Sequence, residues 1–255
     1  LLAQLSESRM APLSPAAVRV ALPAVCGEGG ARSRVAHAAE ISEAFEALLS
    51  TFTESSDQRF VSCVERHFSM SMMEMCECVC DEMLEPLHYK QSEAYVSVPL
   101  LLSSPPSEGS PLAAQLASST GPLCPTANCG KRMRILRYLM APMPSLLVVG
   151  LSWDATAVQP SSIHSVLTLI EHTIDLQAAF KSLPQPATAS LRGVLASSGP
   201  THHSFAYDPV GSSWLHHGEG AVTAVGEEWE AVVSKCSQYR LKPVLLLYQI
   251  NTSQY

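Results

Sequence analysis

Clustered positive charge is missing from this sequence. Its 16 Lys and Arg stand against 23 Asp and Glu, for a formal charge of −7 and a pI near 5.7. A nucleic-acid partner is thereby excluded, because neutralising phosphates takes grouped Lys and Arg. The one small group, Arg132, Arg134 and Arg137, is too slight a patch in an acidic chain. An acidic surface suits a basic protein partner better. Long apolar runs are missing too: none approaches the ~18 to 20 residues of a membrane span. The opening LLAQLSESRM lacks the charged and apolar regions of a secretory leader. The expectation is a protein with no membrane partner, residing in the cytoplasm and/or nucleus. The first residue is Leu rather than Met, so a fragment with residues missing upstream is expected.

What is present suffices for a core: 47% of the 255 residues are hydrophobic, and one domain over 1–255 is expected. Eight cysteines occur, at 26, 63, 76, 78, 80, 124, 129 and 236, and five of them fall in two tight groups. Cys76-Glu77-Cys78-Val79-Cys80 is one; Cys124-Pro125-Thr126-Ala127-Asn128-Cys129-Gly130 is the other. Grouped thiols of this kind point to metal ligation in a reducing compartment rather than to a disulfide framework. Four thiolates from two knuckles close a tetrahedral shell around Zn2+, and Gly130 permits the turn that presents a ligand. The second knuckle supplies Cys124 and Cys129. From the first, either Cys78 with Cys80 or Cys76 with Cys80 could serve. Cys26, Cys63 and Cys236 read as buried thiols.

Along the chain, Ser14 as N-cap with Pro15 in the first helical position starts a short helix, and 23–36 is a Gly-containing loop. Ala38 to Phe52 carries Ala, Ile, Phe and Leu at helical spacing. The Met-rich 70–75 segment is core filling, Glu85 to Leu100 a turn and strand, and 103–120, rich in Ser, Pro and Ala, a flexible insertion. Lys131–Met140 is a strand and Leu146–Trp153 a buried strand by its β-branched content; Ile163 to Phe180 reads as an edge strand with a helical tail, and 183–190 as a loop. His203 to Leu215 around Asp208-Pro209-Val210-Gly211 reads as a hairpin. Trp229, Val232, Val233 and Cys236 mark a helix with two carboxylates at its start. Pro243 ends it, and Val244–Tyr248 is a short buried strand.

This closing order of elements resembles the ubiquitin-specific proteases. His202-His203 stands where that family has His-Tyr, Trp214 at its Trp, Gly218-Glu219 at its acidic pair, and Pro243 to Tyr248 at its final P-x-L-L-L-Y strand. Glu40-Ile41-Ser42-Glu43 followed by Leu48-Leu49 is similar to its D-A-x-E-F-x-x-x-L-L helix. The strings Glu85-Pro-Leu-His, Cys-Pro-x-x-x-Cys-Gly and Glu-Trp-Glu-x-Val-Val-x-Lys-Cys are most similar to its inactive ubiquitin-hydrolase-like branch.

The resemblance implies an α+β, papain-like fold: thumb helices over 1–75, zinc-ribbon-like fingers over 76–140, and an antiparallel β palm over 141–250. It supports a structural Zn2+ on Cys78, Cys80, Cys124 and Cys129, with Cys76 as alternative ligand, and ubiquitin or ubiquitinated proteins as partners. For catalysis it implies His202 as the base, with His203 or Thr201 as register alternatives, and Glu219 as the nearest orienting carboxylate. The family's N-x-x-x-x-C-Y nucleophile box is absent from these 255 residues, and Gly218 has no side chain to orient an imidazole. The expectation is a pseudo-deubiquitinase that binds ubiquitin or a scaffold partner. The alternatives are an active cysteine-type deubiquitinase whose nucleophile lies upstream and whose Glu219 orients His202, or a zinc-stapled interaction domain.

Overall fold

The computed structural model describes residues 41–104, 110–154, 159–218 and 220–252. The expected helix at Ser14, the loop 23–36, Cys26 and Glu219 lie outside them. Among the described residues no helix is long and apolar enough to cross a membrane. The chain divides into two compact units, Leu1–Val64 and Glu65–Tyr255.

In the first unit, α1 (Ile41–Thr53) forms where the apolar spacing places it, with Glu43 in its first turn, favourably near the positive end of the helix dipole. The chain then turns into α2 (Gln58–His67), which runs across the unit boundary. Asp57 starts α2 by accepting the backbone N–H of Arg59 at 3.0 Å. It also accepts that residue's guanidinium, which holds its carboxyl at about 2. The Phe52 and Phe60 rings stack with centroids 5.4 Å apart.

The second unit holds two sheets. The smaller has strand order β2-β1-β5-β4, from β1 (Met70–Glu77), β2 (Leu87–Gln91), β4 (Ser118–Leu123) and β5 (Arg132–Leu139), all antiparallel. The Met-rich segment expected among the thumb helices is therefore a strand. Met70 and Met72 alternate inward and are buried, as a period of two requires. Arg137 and Glu74 face each other across β5 and β1 at 2.7 Å, both largely shielded from water.

The larger sheet has eight strands, in the order β11-β10-β9-β8-β12-β6-β3 with β7 beside β8. These are β3 (Ala94–Ser97), β6 (Leu146–Ser152), β7 (Thr173–Asp175), β8 (Ala187–Ser198), β9 (Thr201–Asp208), β10 (Ser213–Gly218), β11 (Ala221–Gly226) and β12 (Lys242–Thr252). Every pairing is antiparallel except β3 with β6. The run Leu147–Leu151 in β6 is buried on both faces, which is why it reads as unbroken apolar sequence.

Helices α3 (Val98–Ser103), α4 (Pro111–Ala117), α5 (Pro160–Leu169), α6 (Leu176–Ala179) and α7 (Trp229–Tyr239) complete the core, whose largest fully buried side chains include Trp214, Tyr248 and Phe205. Three expectations change here. The span 103–120 is not simply a flexible insertion: in α4 Leu112, Ala113 and Leu116 are buried in the main core, each leucine contributing about 1.5 to 3 kcal/mol. Ile163–Phe180 is helix first, then the short strand β7 and the single turn α6, because Ile163, Val166, Leu167 and Ile170 keep helical spacing. Strand β8 also begins inside the expected loop, at Ala187. Helix α7 ends on Arg240 in the left-handed conformation (φ 55°), with the Leu241 N–H donating to Cys236 O at 2.8 Å.

Candidate functional site

Among the described residues, two side-chain constellations lie in the second unit. The first is at the end of the smaller sheet. After β1 the chain reverses at Asp81 (φ 64°), with Asp81 N–H donating to Cys78 O at 3.0 Å and Cys78 N–H to Glu82 O at 2.9 Å. The loop between β4 and β5 reverses at Asn128 and Gly130 (φ 66° and 62°), with Cys129 N–H donating to Thr126 O and Cys124 N–H to Lys131 O. These turns bring the sulfurs of Cys78, Cys80, Cys124 and Cys129 within 4.8 Å of one another. Cys78 Sγ lies 3.6 Å from Cys129 Sγ, and Cys80 Sγ 3.5 Å from Cys124 Sγ. Tetrahedral coordination with Zn–S bonds of ~2.3 Å spaces sulfurs ~3.8 Å apart, which lies between the short pairs and the 4.8 Å limit of the cluster, so the donor set fits such an ion after small shifts of the sulfurs.

Cys80 is poised as a thiolate. The Glu82 backbone N–H, aided by the Cys78 thiol, lowers it to about 6. Cys78 is pushed up to about 12: the Cys80 backbone N–H favours its thiolate, but burial and the three neighbouring thiols outweigh that. Cys76 packs against this cluster on β1, opposite Ile135, and is not one of the four. Cys63 is half-buried in α2; Cys236 is fully buried in α7, where desolvation pushes its thiol up to about 12.

The second constellation is on the β9–β10 hairpin. The register pairs Trp214 with Tyr207, His216 with Phe205 and His217 with Ser204. Because side chains alternate, His203, Phe205 and Tyr207 share a face with Gly218, His216 and Trp214. His202, the residue the resemblance places at the base position, pairs with Ser197, is exposed, and belongs to the other face. The residue brought against Gly218 is His203: a Cβ on Gly218 would stand 2.5 Å from His203 Nδ1 and 2.9 Å from His216 Cε1.

His216 fills the space beside that glycine, with Nε2 3.0 Å from His203 Nδ1 and its ring 4.7 Å from that of Phe205. Burial, then the charge of Lys235, then the other two histidines lower the proton affinity of His216. Sequence reading did not single out His216. The signal available was the period-two spacing from Trp214 to 216 to Gly218, which puts all three on one face.

Below the histidines the hairpin is anchored by aromatics. Trp214 is wholly buried against Tyr207 and Trp229, at 5.5 and 5.4 Å, and Trp229 donates its indole N–H to Leu167 O. Between the two sheets a cleft of about 710 Å³ is lined by Tyr95, Leu100, Gln115 and the three arginines 132, 134 and 137. Arg134 pairs with Glu77 on the same sheet, and Arg132 donates to Gly121 O. Arg137 is paired with Glu74, so of the three arginines lining the cleft Arg132 alone has no carboxylate partner among the described residues.

No protein-family model matches the chain. Ubiquitin carboxyl-terminal hydrolase 54 of Rattus norvegicus is 29% identical over 198 residues, which cover 71% of this chain and 12% of that protein. Ubiquitin carboxyl-terminal hydrolase 53 of Homo sapiens is 26% identical over 208 residues, covering 73% of this chain and 19% of that protein. The chain thus spans only a small part of these relatives. Among solved structures, the Ubp8-Sgf11-Sgf73-Sus1 SAGA DUB module matches with a TM-score of 0.55 at 11% identity, over 84% of this chain and 49% of the matched chain. A yeast SAGA DUB module carrying an Sgf73 variant gives 0.54 at 11%, over 84% and 51%. The fold is that of a ubiquitin-specific protease, α+β with a cysteine cluster of zinc-ribbon type. In sequence the chain is related to the ubiquitin carboxyl-terminal hydrolases.

Proposed function

We propose that this chain is a ubiquitin-recognising domain that does not hydrolyse ubiquitin conjugates, stapled by one structural Zn2+ on Cys78, Cys80, Cys124 and Cys129. The observation that carries the first part is the surroundings of Gly218. A cysteine protease of this fold needs an imidazole held by a side chain that fixes its tautomer, and losing that partner costs about 10⁴ in rate. Next to His203 there is glycine, and the space a carboxylate would need is taken by a second imidazole. The four clustered sulfurs support the metal, with Cys80 already favouring its thiolate.

Recognition of ubiquitin is supported by the relatedness to ubiquitin carboxyl-terminal hydrolases and by the cleft between the two sheets, with half-exposed Tyr95 and Leu100 on its wall. The test is a pair of assays on the natural polypeptide that carries this chain. Labelled ubiquitin should show saturable binding that weakens when Tyr95 and Leu100 are both changed to Ser, and a fluorogenic ubiquitin substrate should show no turnover above buffer. Turnover abolished by changing His202 or His203 would establish an active enzyme. No binding at high protein concentration would leave a metal-stapled interaction domain.

A further inference from the structure

Both ring nitrogens of His203 have partners within the hairpin, and the bond lengths favour one direction for each. Thr201 Oγ1 lies 2.8 Å from the Ser198 carbonyl, which can only accept, so the hydroxyl spends its single proton there. Toward His203 Nε2, 3.3 Å away, Thr201 is then the acceptor, and Nε2 must carry a proton. In the neutral ring Nδ1 is left bare, and it accepts from His216 Nε2 at 3.0 Å. The two ring planes are 9° apart, and the centroid separation of 5.2 Å exceeds the N···N distance by about two ring radii. The imidazoles therefore lie end to end, with one N–H aimed along the facing lone pair. That spacing suits a proton; a metal ion bound linearly between two nitrogens, each ~2.0–2.1 Å away, would need them ~4 Å apart.

We propose that His216, His203, Thr201 and Ser198 form a closed one-way hydrogen-bond relay. It locks His203 in its Nε2-protonated tautomer and withdraws both its nitrogens from acid–base chemistry. A general base needs a bare nitrogen within reach of the proton it takes, and His203 presents none. Gly218 acquires a positive role in this arrangement: its missing Cβ is the room in which the two rings meet. His216 is thus a positioning residue, acting through His203. The titratable groups whose charge acts on His216 are Lys235 on α7, His203 on β9 and the adjacent His217 on β10, all of which disfavour a proton on His216. The proposal rests on the reading of a non-hydrolysing domain only for its consequence; the relay itself follows from the bonds.

Diethyl pyrocarbonate acylates bare imidazole nitrogens, so peptide mass spectrometry after brief treatment reads the lock directly. In the unaltered protein His203 should react about tenfold more slowly than exposed His202, as breaking a hydrogen bond first requires. His216→Phe keeps the ring volume and removes the donor, and should bring His203 to within about threefold of His202. His216→Gln restores a donor and should restore protection. His202 is the freely reactive reference in each variant, and circular dichroism checks that the variant is folded. In parallel, imidazole ¹⁵N spectra should show His203 as a single Nε2–H tautomer, with nitrogen–nitrogen coupling across the bond to His216. Equal reactivity of His202 and His203 in the unaltered protein, or averaged tautomers without coupling, would overturn the relay. So would a His203 that stays protected in a folded His216→Phe variant. These results are independent of hydrolysis: an unprotected His203 in an inactive protein refutes the relay alone, whereas ubiquitin turnover refutes the non-hydrolysing reading.

Discussion

Replacing Gly218 by Ala adds one methyl group to the most confined polar spot on the β9–β10 hairpin. The new carbon would stand 2.5 Å from His203 Nδ1, and 2.9 and 3.0 Å from His216 Cε1 and Nε2. Something must move. Overpacking a rigid core costs about 1 to 3 kcal/mol, but these atoms belong to ring ends that can swing by rotation about χ1 and χ2. The cost is then set by what the rings lose when they separate. One net hydrogen bond contributes about 0.5 to 1.5 kcal/mol, and the His216 ring also leaves its contact with Phe205. The expected destabilisation is about 1 to 2 kcal/mol. For a body of this size each kcal/mol lowers Tm by ~2 to 4 °C, so a fall of about 2 to 8 °C should be seen by circular dichroism. The whole effect falls on the histidine pair, so the two sites must couple. In a His216→Ala background the Gly218→Ala change should cost less than in the unaltered protein, with an interaction energy of about 1 kcal/mol. A Gly218→Ala protein as stable as the parent, or an equal loss in both backgrounds, would show that the rings do not meet where Gly218 leaves room.

Cys124→Ser removes one of four clustered sulfurs, and bound Zn2+ per chain should fall from one toward zero by elemental analysis, with a Tm loss that added chelator reproduces in the parent. His216 is held below the ordinary histidine range, first by burial and then by the Lys235 charge, so the unfolded chain binds more protons as pH drops through about 6.5. The stability from its neutral form is present above that pH and lost as pH falls through its folded value; Tm should fall between pH 7.5 and 5.5 by more in the parent than in His216→Phe. Leu116→Ala should cost about 2 to 5 kcal/mol in denaturant unfolding, because this side chain is fully buried in the main core; a loss below about 0.5 would return 103–120 to a peripheral role. Each of these is read on the purified chain without any ubiquitin reagent.

The sequence alone determined the elements whose signals are local. Leu146–Ser152 announces itself as a strand because it is apolar on both faces. Trp229–Tyr239 shows as a helix through one-face spacing of Trp229, Val232, Val233 and Cys236. The closing strand and the hairpin turn around Asp208 were equally legible, and together they carried the family resemblance. Tertiary structure decided what depends on partners distant in sequence. A seven-residue helix such as Pro111–Ala117 is too short to stand by itself, and only the core that buries Leu112 and Leu116 makes it helical, so a Ser- and Pro-rich stretch looked like a free insertion. Among the three cysteines at 76, 78 and 80, spacing left two pairings open. The turn at Asp81, closed by a hydrogen bond from Cys78 to Glu82, sends Cys78 and Cys80 to the sulfurs of the second knuckle and leaves Cys76 in the strand. The histidines show the same limit most sharply. His202, His203, His216 and His217 are alike as sequence, and which of them meet is a matter of cross-strand register, where a slip of one residue exchanges the two faces. The fold chose His203 and His216, because burying Phe205 and Trp214 on one side of the sheet carries those two histidines to the side where Gly218 leaves them room.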